Sequence, residues 1–289
     1  MARKKMDTRS IGLDVGLAFS KFLTGKENLH YGLWDAKWDV CAANVGRAQE
    51  AYTSKLFALL PKAKNLKILD IGGGAGETAK KLVALGHHVE IVIPSPFLAE
   101  RCRHNAGPKA VVHECKFEDF ETDQRFDVCL FSESFQYIPM DISLTKSASL
   151  LTLGGTIIVS DCFRTQAFFD SKAVAARVGG GHALVDFDAI LNDLPLTIVS
   201  REDITEQVAP TVDVEQELYN VVGYAVTRVD DGLVATHPFL RKFLRGLMGL
   251  FFSQRRRERL EQRLHQKTRS ATNFIRFNTY VMVKFEVKG

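Results

Sequence analysis

Leu66-Lys67-Ile68-Leu69-Asp70-Ile71-Gly72-Gly73-Gly74-Ala75-Gly76-Glu77-Thr78 is the stretch whose reading decides the fold. Its opening residues, Leu66 to Leu69, form a short apolar run of the kind that makes a buried parallel strand. Beyond the glycines, Ala79, Leu82, Val83 and Leu85 recur at helical spacing, and Gly86 stops the helix. Strand, glycine-rich turn and helix thus follow one another within about twenty residues. Glycines in such a turn permit positive φ and remove Cβ atoms that would block a close ligand. The helix beyond presents unpaired N–H groups to that ligand. A dinucleotide fingerprint, G-x-G-x-x-G, fits less well: started at Gly72, it puts Glu77 where the third glycine belongs. A nicotinamide-dependent dehydrogenase is therefore the weaker alternative.

Outward from this turn the same alternation repeats. His88 to Ile93 reads as a second strand, and Pro94-Ser95-Pro96 opens a helix to about Asn105, proline suiting the first helical turn. Lys109 to Glu114 is a third strand and Phe126 to Phe131 a fourth, followed by Ser132-Glu133-Ser134-Phe135-Gln136-Tyr137. Ile142 to Leu153 reads as a helix ended by Gly154-Gly155, and Thr156 to Asp161 as a fifth strand. Five β-α units in order predict a doubly wound parallel sheet. In such sheets ligands sit at the carboxyl ends of the strands, where Ser132 and Glu133 fall.

The acid followed by alternating glycines, Asp70-x-Gly72-x-Gly74-x-Gly76, resembles motif I of the class I S-adenosylmethionine (SAM)-dependent methyltransferases. Glu27-Asn28-Leu29-His30-Tyr31-Gly32-Leu33-Trp34 resembles the segment ahead of motif I in their quinone, tocopherol, sterol and cyclopropane group. Phe126-Asp127 and the turn after it resemble motif II. The resemblance implies a Rossmann-like, seven-stranded, mostly parallel sheet with N-terminal helices and a helical cap before the last strand. It implies SAM as cofactor, its methionine part held by Asp70, Gly72, Gly73, Gly74 and Gly76, with His30 and Tyr31 nearby. By the same resemblance Ile93 and Ser95 stand at the ribose position, Lys116 and Phe117 at the adenine, and Ser132 beside the active-site turn. Two acids usual in the family are replaced here, by Ile93 and by Lys116, which cannot accept a hydrogen bond. Glu-Ser-x-x-Tyr, at Glu133 to Tyr137, resembles prenyl diphosphate C-methyltransferases. Cyclopropane synthases carry glutamate-histidine where this chain has Gln136-Tyr137, which weighs against cyclopropanation.

Candidate catalytic residues are Glu133, Tyr137 and His182. Glu133 suits a general base or a substrate anchor, against the plainer reading of a capping carboxylate. His182 follows Gly179-Gly180-Gly181, a hinge or loop tip, and titrates near neutrality; a solvated loop histidine is the plainer reading.

The 289 residues suffice for one large core with an elaborated cap. Apolar content of 46%, charged content of 25% and a net charge of +4 are ordinary for a soluble globular protein and give no reason to expect a nucleic-acid partner. Cys41, Cys102, Cys115, Cys129 and Cys162 include no C-x-x-C pair, so neither a disulfide framework nor a metal site is expected. Without a signal peptide or membrane span, a cytoplasmic protein is expected.

Residues 1–62 are expected to form N-terminal helices and a cofactor-covering segment, 63–204 the core, 205–272 a helical substrate cap and 273–289 the final core strand. In the cap, Val214 to Thr227 reads as a helix. Pro238 to Phe252 reads as a second, continued by the basic run Gln254 to Leu264. The apolar half of that second helix suits the roof of a hydrophobic pocket, and its basic half a phosphate, a carboxylate or an anionic membrane surface. A packed helix with a solvated charged end is the plainer reading. The final strand is expected over Phe274 to Phe285. The function expected is methyl transfer from SAM to a hydrophobic small molecule such as a lipid, quinone or terpenoid. The alternative is a methyltransferase fold turned to cyclase or isomerase chemistry, or to a non-catalytic partner role.

Overall fold

A computed structural model describes residues 8–171, 178–251, 253–265 and 269–288. Its strands are β1 (Lys67–Ile71), β2 (His88–Val92), β3 (Val111–His113), β4 (Phe126–Ser132), β5 (Leu151–Arg164), β6 (Leu196–Asp203) and β7 (Asn278–Val287). They form one seven-stranded sheet in the order β3-β2-β1-β4-β5-β7-β6. Every pairing from β3 to β5 is parallel, and β7 runs antiparallel to both β5 and β6. The strand order reverses between β1 and β4, so the turns after those two strands open into a common crevice.

The helices are α1 (Thr8–Thr24), α2 (Val45–Phe57), α3 (Glu77–Ala84), α4 (Pro96–Ala106), α5 (Met140–Leu150), α6 (Gln166–Asp170), α7 (Leu184–Asp193), α8 (Thr205–Val208), α9 (Pro210–Thr236), α10 (Pro238–Phe251), α11 (Gln254–His265) and α12 (Ala271–Phe277). The parallel strands bury both faces. Ile68, Val128, Leu130, Ile158 and Met282 join one apolar cluster with α2 and α3. Leu69, Ile71, Phe131, Val159, Val283 and Phe285 join a second cluster with Leu144 of α5 and Phe187 of α7.

Several element boundaries differ from expectation. Phe274 to Phe277 is helix, not strand: the Ser270 hydroxyl accepts the Asn273 N–H at 3.2 Å and caps α12, so β7 begins at Asn278. The β5 strand begins at Leu151, which pairs with Phe126, and α5 ends at Leu150. The helix α9 spans 27 residues, and the basic run is a separate helix, α11. The glycines before His182 are packed rather than a free tip: a Cβ on Gly181 would stand 1.8 Å from the Cys162 carbonyl oxygen. Among the described residues, no helix is long and apolar enough to cross a membrane.

Candidate active site

The turn after β1 takes the shape its glycines allow. Gly72, Gly74 and Gly76 sit at φ +77°, +56° and +89°, the left-handed region that other residues avoid. Two of them make room for protein. A Cβ on Gly72 would lie 2.4 Å from the Ser134 Cβ, and one on Gly76 would lie 2.9 Å from the Cys102 backbone. Gly74 makes room for something else, since a Cβ there would meet no atom within 4 Å. It borders a cavity of about 950 Å³ that also reaches Ile93, Ser95, Phe117 and Glu133.

Among the described residues, two buried polar atoms of cavity-lining residues lack a protein partner: Asp70 Oδ2 and Asn28 Nδ2. Burial alone raises the Asp70 carboxyl to about 7. A buried acceptor and a buried donor left unpaired are costly unless a ligand satisfies them. An open glycine turn, an acid at its start and an orphaned amide fit the methionine end of SAM, with its ammonium and carboxylate. Asp70, Asn28 and the backbone of Gly72 to Gly74 would hold that end.

One wall of the cavity is the segment before α2, held down by Glu27. That buried carboxylate accepts from Arg101 Nη1 at 2.7 Å, from Asn105 Nδ2 at 2.9 Å and from Lys21 Nζ at 3.2 Å. Burial pushes its pKa up, but these hydrogen bonds and the charges of Arg101 and Lys21 outweigh it and leave the carboxyl below its ordinary value. Asn105 also donates to the Ala75 carbonyl, tying this wall to the glycine turn. His30 borders the cavity and stacks on Tyr52 at 4.6 Å; burial lowers its pKa to about 4, so the ring is neutral.

At the far end of the cavity stands Glu133, held at φ +58°, a strained backbone for a residue with a side chain. Its N–H continues the sheet, donating to the Ser160 carbonyl at 2.8 Å. Its carboxylate Oε1 accepts the Tyr31 N–H at 2.7 Å and the Tyr280 hydroxyl at 2.9 Å. Burial raises this carboxyl to about 8, and the nearby Asp161 charge adds to the rise against those two hydrogen bonds. Behind it the Tyr52 hydroxyl meets those of Tyr280 at 2.9 Å, Ser160 at 2.7 Å and Ser132 at 3.3 Å. Asp161, fully buried, accepts the Gln136 N–H and side-chain amide at 3.0 Å each and so braces the turn.

Most of the expected site residues border one cavity: Asp70, Gly72, Gly73, Gly74, Ile93, Ser95, Lys116, Phe117, Ser132, Glu133 and Tyr137. Three do not. Gly76 is packed under Cys102 and shapes the turn from behind. Tyr31 points its ring at Phe274 and Tyr280 and reaches the site through its backbone N–H. His182 donates from Nε2 to the carbonyls of Phe135 and Ile138, at 3.1 and 2.9 Å. That ring holds the turn from beneath rather than facing substrate. Asn28, Glu27, Tyr52, Asp161 and Tyr280 are candidate site residues that sequence reading missed. Glu27 and Asn28 lay inside the quoted glutamate-to-tryptophan segment; Tyr52, Asp161 and Tyr280 come from distant strands and helices with no local signal.

A family described as "Methyltransferase domain" matches residues 68–155, the span from β1 into β5. The 27-O-demethylrifamycin SV methyltransferase of Amycolatopsis mediterranei is 26% identical over 203 residues, covering 64% of this chain and 72% of that protein. Among solved structures, the cyclopropane synthase MmaA2 from Mycobacterium tuberculosis superposes with a TM-score of 0.69 at 14% identity, over 98% of this chain and 99% of that one. The geranyl diphosphate C-methyltransferase from Streptomyces coelicolor A3(2), crystallised with S-adenosylhomocysteine, gives 0.61 at 15% identity over 94% and 92%. With motif I, the sheet order and the cavity at the switch point already in place, these matches support a class I SAM-dependent methyltransferase.

Proposed function

We propose that the acceptor is a hydrophobic small molecule whose nucleophilic atom is presented at Glu133. SAM supplies an electrophilic methyl sulfonium, so the protein's share is alignment, exclusion of water and management of one proton. The observation that carries this reading is Glu133 itself: a strained, half-buried carboxylate with a raised pKa, bordering the same cavity as the glycine turn. A carboxyl of about 8 is matched to a hydroxyl acceptor, whose proton moves to Glu133 as the oxygen lone pair takes the methyl group. Phe135, Tyr137 and Ile138 follow Glu133 in the turn; Tyr137 and Ile138 border the cavity, which supports an acceptor with an apolar body. Methylated-product masses, screened over phenols, quinols and terpenoid alcohols with calorimetry of S-adenosylhomocysteine alongside, test the proposal. Cofactor binding with turnover confined to charged, fully polar acceptors would overturn the substrate class. Absence of cofactor binding would overturn the site.

A further inference from the structure

The cap does not do what its sequence suggests. Among the described residues, none bordering the cavity comes from α9, α10 or α11, so Phe239, Leu240, Phe243 and Leu244 of α10 do not roof the site. They point into solvent instead. Phe239 is 84% exposed and Phe243 63%, with Leu240 and Leu244 beside them at 46% and 41%. These four share one helical face, and the sequence continues the same register with Leu247, Leu250 and Phe251. Off that face, Arg241 clamps Asp230 of α9 with two bonds, Nε and Nη2 each at 2.8 Å, while Lys242 is exposed. The four apolar side chains thus face outward, the reverse of a helix that packs its apolar face on a core.

Its support stands clear of the body. From Tyr224 onward no residue of α9 is buried, and Val226 and Val229 are 53% and 65% exposed. The anchor lies just before, where Gly223 lets the Leu264 carbonyl of α11 approach; a Cβ there would stand 2.3 Å from that oxygen. Charge selects the occupant. Residues 238–265 carry eight arginines and lysines against two acids, Glu258 and Glu261. A second copy would bring like charge against like, whereas an anionic bilayer offers both an apolar interior for the phenylalanines and counter-charge for the basic side chains. We infer that α10 and α11 dock this protein on an anionic lipid surface, with Phe239 and Phe243 inserted below the headgroups.

Flotation of the full chain with vesicles tests this. Wild type floats with phosphatidylcholine–phosphatidylglycerol vesicles, stays behind with pure phosphatidylcholine, and is partly released by salt. The exposed pair Phe239→Ser and Phe243→Ser lowers partitioning roughly a hundredfold, while S-adenosylhomocysteine binding by calorimetry is unchanged. Wild type remaining unbound to phosphatidylglycerol vesicles would overturn the inference, as would a double variant that floats like wild type. So would light scattering that finds a wild-type dimer dissolved by the same two substitutions, because the face would then belong to a second copy.

Discussion

The Tyr280 hydroxyl donates to Glu133 Oε1 at 2.9 Å across 147 positions of chain, joining the last strand of the sheet to the turn after β4. That bond and the Tyr31 N–H hold the Glu133 pKa down against burial. A hydrogen bond to a charged group is worth about 1.5–3 kcal/mol, or about one to two pKa units. Tyr280→Phe therefore moves the ascending limb of the pH–rate profile upward and slows turnover at neutral pH about tenfold or more. Glu133→Gln removes that limb while leaving S-adenosylhomocysteine affinity near wild type. A Glu133→Gln enzyme that turns over at the wild-type rate would exclude the carboxylate as base.

Gly74 and Gly72 separate ligand from scaffold. Alanine at Gly74 costs about 1–2 kcal/mol for its positive φ, but its Cβ meets no protein atom. The larger effect falls on the cofactor: Gly74→Val abolishes S-adenosylhomocysteine binding by calorimetry, and Gly74→Ala weakens it at least about tenfold. Alanine at Gly72 instead collides with Ser134, whose hydroxyl donates to the Ile71 carbonyl, so the main loss appears as a lower Tm. Equal Tm losses and intact binding in both variants would show that the turn holds no ligand.

What the sequence disclosed was what neighbouring residues determine. The turn from Asp70 to Gly76 was legible because backbone geometry demands glycine at fixed spacing there, and the order of β-α units because each strand and helix has its own period. Phe274 to Phe277 misled for the same reason: a four-residue apolar run has no period of its own, and a Ser270 cap decided it as helix. The Glu133 network was out of reach, since Tyr31, Tyr52, Ser160 and Tyr280 meet only once the sheet is assembled. The orientation of α10 was equally hidden. Amphipathicity says that a helix has two faces but not which one turns outward, and here Phe239 and Phe243 stand exposed.

Burial raises Asp70 and Asp161 to about 7 and Glu133 to about 8, each from an ordinary carboxylate value near 4. A carboxyl raised in the folded state binds its proton more tightly folded than unfolded. Its stabilising contribution is complete below about pH 4 and is lost as pH climbs through 7 to 8. Without ligand, Tm measured by scanning fluorimetry falls by several degrees between pH 6 and 9. Glu133→Gln, which keeps an acceptor for Tyr31 and Tyr280, makes the fall shallower. A wild-type Tm that is flat or rises over this range would contradict the linkage.

Glu27 is expected to set how long cofactor stays. Its contacts join the segment after α1 to α4 and, through Asn105, to the glycine turn. Next to it, Asn28 borders the cavity, as does Leu13 of α1, while Leu17 packs against Ile93 and Leu98. Breaking a buried ion pair costs about 3–5 kcal/mol. Here Arg101 is 36% and Lys21 63% exposed, so water takes up the freed charges and about 1–2 kcal/mol remains. Most of that appears in the closed, cofactor-bound arrangement, because the wall must open for ligand to leave. Glu27→Gln is expected to speed S-adenosylhomocysteine dissociation about tenfold in stopped-flow displacement, with association little changed. Dissociation at the wild-type rate would show that the wall opens by a route on which these bonds are not broken.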